Sequence, residues 1–277
     1  MRHQRKQLKE VLEFPRSRVG YLLLPFLQMK RQSATQSALS TRSSIQADHQ
    51  LRAASWAREL TEDQLQRVER ETRVQFFPAG SIVGREGLPA EYWIGVIEGI
   101  VKVCTTFPDG RSTTFIGVTD GGWLGEGALL KRELRPYEVL ALRDSRVALM
   151  PLHTFEWLYQ TSLPFSHFLV QQLNARLGQF VALVESKRMQ STVGQVAISL
   201  AELFNPALSP NALEFVRISQ EELAQLCGLS RAVTNRSLHQ LQDVGLVRIL
   251  YKGVQALDIH GLYSYARGQN LEFKPDR

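Results

Sequence analysis

Between Ile218 and Leu238 the chain reads as two short helices joined by a tight turn, and this pairing constrains the fold more than any other stretch. Ser219 and Glu222 have the spacing of a capping box, in which each side chain satisfies an orphan backbone N–H at a helix start. Gln220 follows in the first turn. Ala224 is small enough to let a second helix cross close by. Gly228 can take the left-handed conformation that ends the first helix. Ser230 then caps a second helix, along which Arg231, Val233, Thr234, Asn235, Arg236 and His239 follow. No acidic residue occurs from Leu223 to Gln242, so nothing on that second helix repels phosphate. This is the pattern of a helix-turn-helix whose second helix enters the DNA major groove. For an ordinary helical hairpin, the cap, small residue, glycine, second cap and acid-free basic helix would all have to coincide. Thr234 and Ser237 stand where the second helix usually sets apolar residues against the first, a departure made tolerable because Thr keeps a branched shape and both hydroxyls can bond back to the preceding turn's carbonyl.

Downstream, Gly245-Leu246-Val247-Arg248-Ile249-Leu250 and Gln255-Ala256-Leu257-Asp258-Ile259 flank Tyr251-Lys252-Gly253. That is a small hairpin, the wing of a winged helix, with Tyr251 and Lys252 at its tip to touch backbone phosphates.

Net charge sharpens this reading by its location. The 277 residues carry +6, and residues 1–53 alone carry +7, from 10 Lys/Arg against 3 Asp/Glu. The bulk charge is therefore not the evidence for DNA; the local arrangement on one helix is. The basic arm turns Ser-rich from Gln32 to Gln50 and reads as disordered. It is either a tail that binds nucleic acid or untranslated sequence ahead of a true start at Met29. Its longest apolar run, Val19 to Leu27, contains Gly20 and Pro25 and is too short to span a bilayer. No small-residue cleavage site follows promptly, which argues against a signal peptide. Two isolated cysteines, Cys104 and Cys227, form neither a disulfide framework nor a metal site, which points to a reducing compartment, the cytoplasm.

The remaining texture divides in two. Leu60 to Leu65 looks like a helix start capped by Thr61. From Val74 to Met150, eleven glycines punctuate short strands. Val96 to Val103 and Thr113 to Val118 flank Pro108-Asp109-Gly110-Arg111, a strong hairpin signal. Val139 to Met150 supplies a last strand. Many short strands suggest an antiparallel barrel or jelly roll. Leu169, Leu173, Leu177, Phe180 and Val184 then draw one apolar stripe, read as a dimer-forming helix. A further helix runs from Met189 to Phe204.

This order of parts resembles the Crp/Fnr superfamily of bacterial transcription regulators, from about Phe76 to Leu262. The resemblance is carried by Gly121-Gly122-Trp123-Leu124-Gly125-Glu126-Gly127-Ala128-Leu129-Leu130 and by Leu229-Ser230-Arg231 through Gly245-Leu246-Val247. It implies an α+β fold. A double-stranded β-helix (jelly-roll, cyclic-nucleotide-binding-like) sensor domain spans 54–163 after the arm of 1–53. A dimerisation helix follows over 164–188, then a winged helix-turn-helix over 189–265 and a tail over 266–277. It also implies a homodimer that binds a pseudo-palindromic double-stranded operator through Arg231 and Arg236, with RNA polymerase as partner. The acid that many relatives aim at cytosine is Ala232 here, so the half-site should differ from the common family consensus.

The same resemblance assigns an effector pocket to Gly125, Glu126, Arg135 and Phe180. In cyclic-nucleotide-binding relatives the Glu bonds ribose and the Arg pairs with the cyclic phosphate, helped by a hydroxyl and an N–H just after it. Here Pro136 has neither. Phe180 and Val181 also fall where cAMP-dependent members use hydroxyls to read adenine. A cAMP switch is therefore not expected. The iron–sulfur cluster of oxygen-sensing relatives is excluded by cysteine count. Haem, with His153 and His167 as the histidines at hand, stays open, as does a small apolar or aromatic effector or control by abundance alone. No metal site and no catalytic residue is expected. An enzyme of the double-stranded β-helix type would place a His/His/carboxylate triad in the roll, yet no histidine lies between Val74 and Met150. The competing reading is a ligand-binding module that acts through protein contacts instead of DNA.

Overall fold

The computed structural model describes residues 50–107, 112–188, 191–212 and 214–268. Most of the basic arm, residues 108–111 where a hairpin turn is expected, Met189 and the tail beyond Gly268 lie outside them. The folded region starts earlier than residue 54. Residues 50–53 are helical, Leu51 and Trp56 are buried, and Arg52 pairs with Glu62 and Glu69 at 2.9 and 2.5 Å. Burial of these two apolar side chains ties the segment down.

Helix α1 (Glu62–Glu71) opens on a capping box between Thr61 and Gln64, as expected. The roll follows as β1 (Arg73–Phe77), β2 (Ile82–Gly84), β3 (Tyr92–Glu98), β4 (Ile100–Thr106), β5 (Ser112–Thr119), β6 (Trp123–Leu124), β7 (Glu138–Ala141) and β8 (Ser145–Pro151). They form two four-stranded antiparallel sheets, ordered β1-β8-β3-β6 and β2-β7-β4-β5. Ile94, Val96, Val147 of one and Val101, Val103, Val118, Val139 of the other make the buried layer between them. Two segments read from sequence as single strands are each divided between the sheets. The first breaks at Gly99, whose φ of 111° few side chains adopt, and where a Cβ would meet Ser145 Oγ. The second breaks between Ala141 and Ser145. Each half pairs in a different sheet, which strand-length patterning cannot reveal.

Short α2 (Glu126–Lys131) and α3 (Leu152–Thr161) lead to α4 (Leu163–Arg188), whose 26 residues span about 39 Å. One face of α4 is committed to its own chain. Phe165 and Leu169 join Trp56, Trp93, Trp123 and Phe155, with Trp93 and Trp123 ring centroids 4.3 Å apart. The outer face exposes Leu163, Val170, Leu173, Leu177, Phe180 and Val184. Leu169 is 1% exposed and Val170 65%, so the stripe runs through Val170 and not through Leu169. The corrected spacing alternates three and four residues, a heptad seam.

The C-terminal part begins at Ser191, whose hydroxyl accepts from Gly194 N, so its first helix, α5 (Thr192–Leu203), starts after the expected Met189. Then come β9 (Phe215–Val216), α6 (Gln220–Cys227), α7 (Arg231–Asp243), β10 (Val247–Leu250), β11 (Gly253–Ala256) and α8 (Ile259–Ala266). The wing sheet has order β10-β11-β9; the third strand and α8 were not foreseen. Leu200, Leu223, Leu238, Leu241 and Leu262 are fully buried in one core, each worth about 1.5–3 kcal/mol of apolar burial. Ile100 of the roll belongs to the same cluster, and Gly117 of β5 has Leu226 and Leu203 against it. The two parts thus share apolar contacts.

Among the described residues, no helix is long and apolar enough to cross a membrane.

Candidate functional site

The start of α6 is built as the sequence foretold. Ser219 Oγ accepts from Glu222 N at 3.2 Å while Glu222 Oε2 accepts from Ser219 N at 2.7 Å. Gly228 takes φ of 67° at the end of the helix, and Ser230 Oγ accepts from Val233 N. These local bonds set α7 across α6. Arg231, Ala232, Arg236 and His239 are exposed along α7, and Asn235 and Val233 are half-buried. That row of donors with no acid among them is fit to meet base edges and phosphates.

Thr234 departs from the expected DNA-contact set. It is 0% exposed, packed between the helices with Ser237 and Leu238, and so reaches no DNA. Its hydroxyl is also buried without a hydrogen-bond partner, so the bond back to the preceding turn that was open to it is not made. The branched shape alone suits the crossing.

Tyr251 and Lys252 form the two-residue tip between paired Leu250 and Gly253. Lys252 adopts φ of 64° and sets its Nζ 5.1 Å from the Tyr251 ring centroid, while Tyr251 is 88% exposed. A groove of about 410 Å³ separates this tip from the helices, bordered by Ser219, Gln220, Glu221, Arg231 and Lys252. Ser219, Gln220, Arg231 and Lys252, distant in sequence, thus line one channel, with Tyr251 next to Lys252 at the wing tip.

The roll gathers a second site. Gly125, at φ of 98°, precedes α2, and its missing Cβ leaves room for Arg135 Nη1; Gly84 does the same for Arg135 Nε. Arg135 is 4% exposed, donates through Nη2 to the Tyr92 carbonyl at 3.2 Å, and keeps Nη1 buried without a partner. Burial pulls its pKa below the ordinary arginine value, and the adjacent Tyr137 phenol opposes that shift. Glu126 is equally buried, and Trp93 Nε1 donates to it at 3.3 Å. A cradled guanidinium with a free donor can hold an anion. Phe180 stands half-exposed on the outer face of α4, sharing it with the heptad seam.

Sequence reading missed Trp93, Tyr137 and Arg176 around this pocket. It also missed Arg143, which reaches from the β7–β8 connection to Glu222. Trp93, Arg176 and Arg143 carry no local signal, since each acts on a residue tens of positions away, whereas Tyr137 stands only two positions from Arg135. His153 lies 3.4 Å from Glu71 on the surface. Among the described residues, no group of three or more His, Cys, Asp or Glu could hold a metal ion.

Residues 74–162 match the cyclic nucleotide-binding domain, and residues 194–265 match the Crp-like helix-turn-helix domain. The chain is 28% identical over 199 residues to the transcriptional regulator SdrP of Thermus thermophilus, covering 70% of this chain and 95% of that protein. It is 28% identical over 197 residues to the CRP-like cAMP-activated global transcriptional regulator of Mycobacterium tuberculosis, covering 69% and 87%. FixK2 from Bradyrhizobium japonicum has a similar structure, with a TM-score of 0.56 at 18% identity over 70% of this chain and 96% of that one; this likeness speaks to the fold alone.

Proposed function

Because the chain belongs to the Crp/Fnr superfamily of transcription regulators, joining a cyclic nucleotide-binding domain to a Crp-like DNA-binding helix-turn-helix, we propose that it works as a cytoplasmic homodimer on a pseudo-palindromic operator. The observation that carries this reading is the outer face of α4. Val170, Leu173, Leu177, Phe180 and Val184 repeat at heptad spacing and are 37–65% exposed, an apolar seam that a second copy would cover. Two such subunits would set two α7 helices about one DNA turn (~34 Å) apart. Arg231 and Arg236 would read guanine or hold phosphate, and bound RNA polymerase would be the downstream partner.

The sensor, in this reading, does not respond to cAMP. Pro136 supplies no N–H beside Arg135, and the Glu126 carboxylate already accepts from Trp93. The unpartnered Arg135 Nη1 favours an anionic effector of another kind over control by abundance alone. An electrophoretic shift with the chain's own promoter DNA at two salt concentrations tests the DNA reading. Binding indifferent to sequence at both salts would sink it in favour of a module acting through protein contacts.

A further inference from the structure

Arg176 lies in the middle of α4 with its guanidinium buried. Its Nη2 donates to the Trp123 carbonyl at 3.1 Å, an oxygen that also accepts from Gln172 Nε2 at 3.3 Å. Its Nη1 donates to Gln179 Oε1 at 2.8 Å. Gln179 is itself 2% exposed, and its side chain lines one small cavity with Glu202 of α5. Glu202 is 5% exposed and also accepts from the Tyr263 hydroxyl of α8 at 3.0 Å and from Asn205 Nδ2 at 3.2 Å. Buried polar groups therefore run from the roll, through one turn of α4, to Glu202 and Tyr263 on the helices packed beside the helix-turn-helix.

The charges along this line are few. The Arg176 guanidinium feels the charge of Glu126 and the Tyr137 phenol on the pocket side and of Glu202 on the DNA-binding side. A buried ion without a partner is costly, so the guanidinium is held by the Trp123 carbonyl and Gln179 within the field of two carboxylates on different parts. Anything that engages Glu126 or the neighbouring Arg135 changes the field at Arg176. The response passes to Gln179 and Glu202, because buried polar groups cannot leave one partner without finding another.

We propose that Arg176, Gln179 and Glu202 are positioning residues that couple occupancy of the Glu126–Arg135 pocket to the placement of the winged helix-turn-helix. This inference rests on the reading of that pocket as the effector site and of α7 as the DNA reader. Coupling between two sites is reciprocal, so DNA binding must also perturb the pocket. The chain offers an intrinsic reporter. All four tryptophans (Trp56, Trp93, Trp123 and Trp157) lie in the sensor part, and the Trp123 carbonyl is the one Arg176 holds.

The experiment titrates the full-length protein with a duplex that the protein has selected from a random pool. Binding is followed by anisotropy of a dye on the DNA, and the sensor by tryptophan emission. The wild type is expected to change its emission in step with DNA occupancy. Gln179→Leu, compared at saturating DNA, is expected to lose that change. Glu202→Gln keeps the shape and hydrogen-bonding reach of the side chain while removing its charge, and serves if Gln179→Leu folds poorly; it should lose the change too. Arg143→Gln, which breaks a different contact between the parts, should retain it. A wild type that binds DNA with unchanged emission, or variants with undiminished change at saturation, would overturn the relay. Failure of the wild type to select or bind any duplex, seen in the anisotropy, would overturn the DNA reading and the relay with it.

Discussion

Arg143 of the roll and Glu222 of α6 form a two-pronged ion pair, Nε to Oε1 at 2.6 Å and Nη2 to Oε2 at 2.5 Å. Glu222 is at the same time the capping-box partner of Ser219, so the bond that starts the first helix also ties it to the sensor. Arg143 Nη2 further donates to the Arg217 carbonyl, just ahead of α6. Burial raises the Glu222 carboxyl, but Arg143 and Ser219 outweigh it and hold its pKa below the usual carboxylate value. A carboxylate depressed in the folded state stabilises above its unfolded pKa, about 4.3, and loses that contribution as pH falls through the folded value. Arg143→Gln should therefore cost about 1–2 kcal/mol at pH 7. Thermal unfolding followed from pH 7 down to 3 should show the gap to wild type closing with acidification. A constant gap would place the effect of Arg143 outside the ion pair.

On the DNA side, Arg236→Ala should abolish preference for the selected site while unfolding at an unchanged temperature, because an exposed helix residue carries little stability. Lys252→Ala should weaken all sequences alike and lower the salt slope by about one unit, as loss of a phosphate contact does. Competition binding at two salts separates the two patterns; a sequence-dependent loss for Lys252→Ala would contradict its placement.

The α4 seam makes a contrast between adjacent residues. Val170→Asp should shift the protein to monomer in sedimentation yet leave the roll folded. Leu169→Asp buries an unpaired carboxylate among Phe165 and Trp93 and should destabilise the sensor itself, by several kcal/mol. Reversed outcomes would mean that the chain dimerises through another face.

Thr234→Val replaces a buried hydroxyl that has no partner with a methyl of similar shape. The substitution should raise stability by about 1 kcal/mol and leave operator affinity unchanged, since the side chain never reaches the surface. Loss of affinity with intact folding would return Thr234 to the DNA-contact set.

For the effector, calorimetry of the dimer with micromolar cAMP should show no saturable heat. A dissociation constant near 1 μM, equivalent to about −8 kcal/mol, would show that Arg135 and its neighbours hold the nucleotide without help from Pro136. The visible spectrum and mass spectrum of the purified protein would report haem or another bound small molecule.

What the sequence by itself determined is everything closed within a few residues. The Thr61, Ser219 and Ser230 caps, the Gly228 turn, the order of the helix-turn-helix and the strand-rich texture all follow from backbone N–H groups finding partners three positions away and from glycine at positive φ. The Gly125–Glu126 stretch and Arg135 were singled out through family resemblance, and the structure sets the Gly125 backbone against the Arg135 guanidinium. Only the tertiary structure decided the break at Gly99, because which sheet a strand joins depends on partners elsewhere in the chain. It also decided that Leu169 turns inward and Val170 outward, since periods of 3.5 and 3.6 differ by less than one residue over so short a stripe. The contacts between parts were illegible for the same reason. Arg143 and Glu222 are 79 residues apart, Trp93 and Glu126 are 33 apart, and no local pattern records which distant side chain will arrive to satisfy a buried charge.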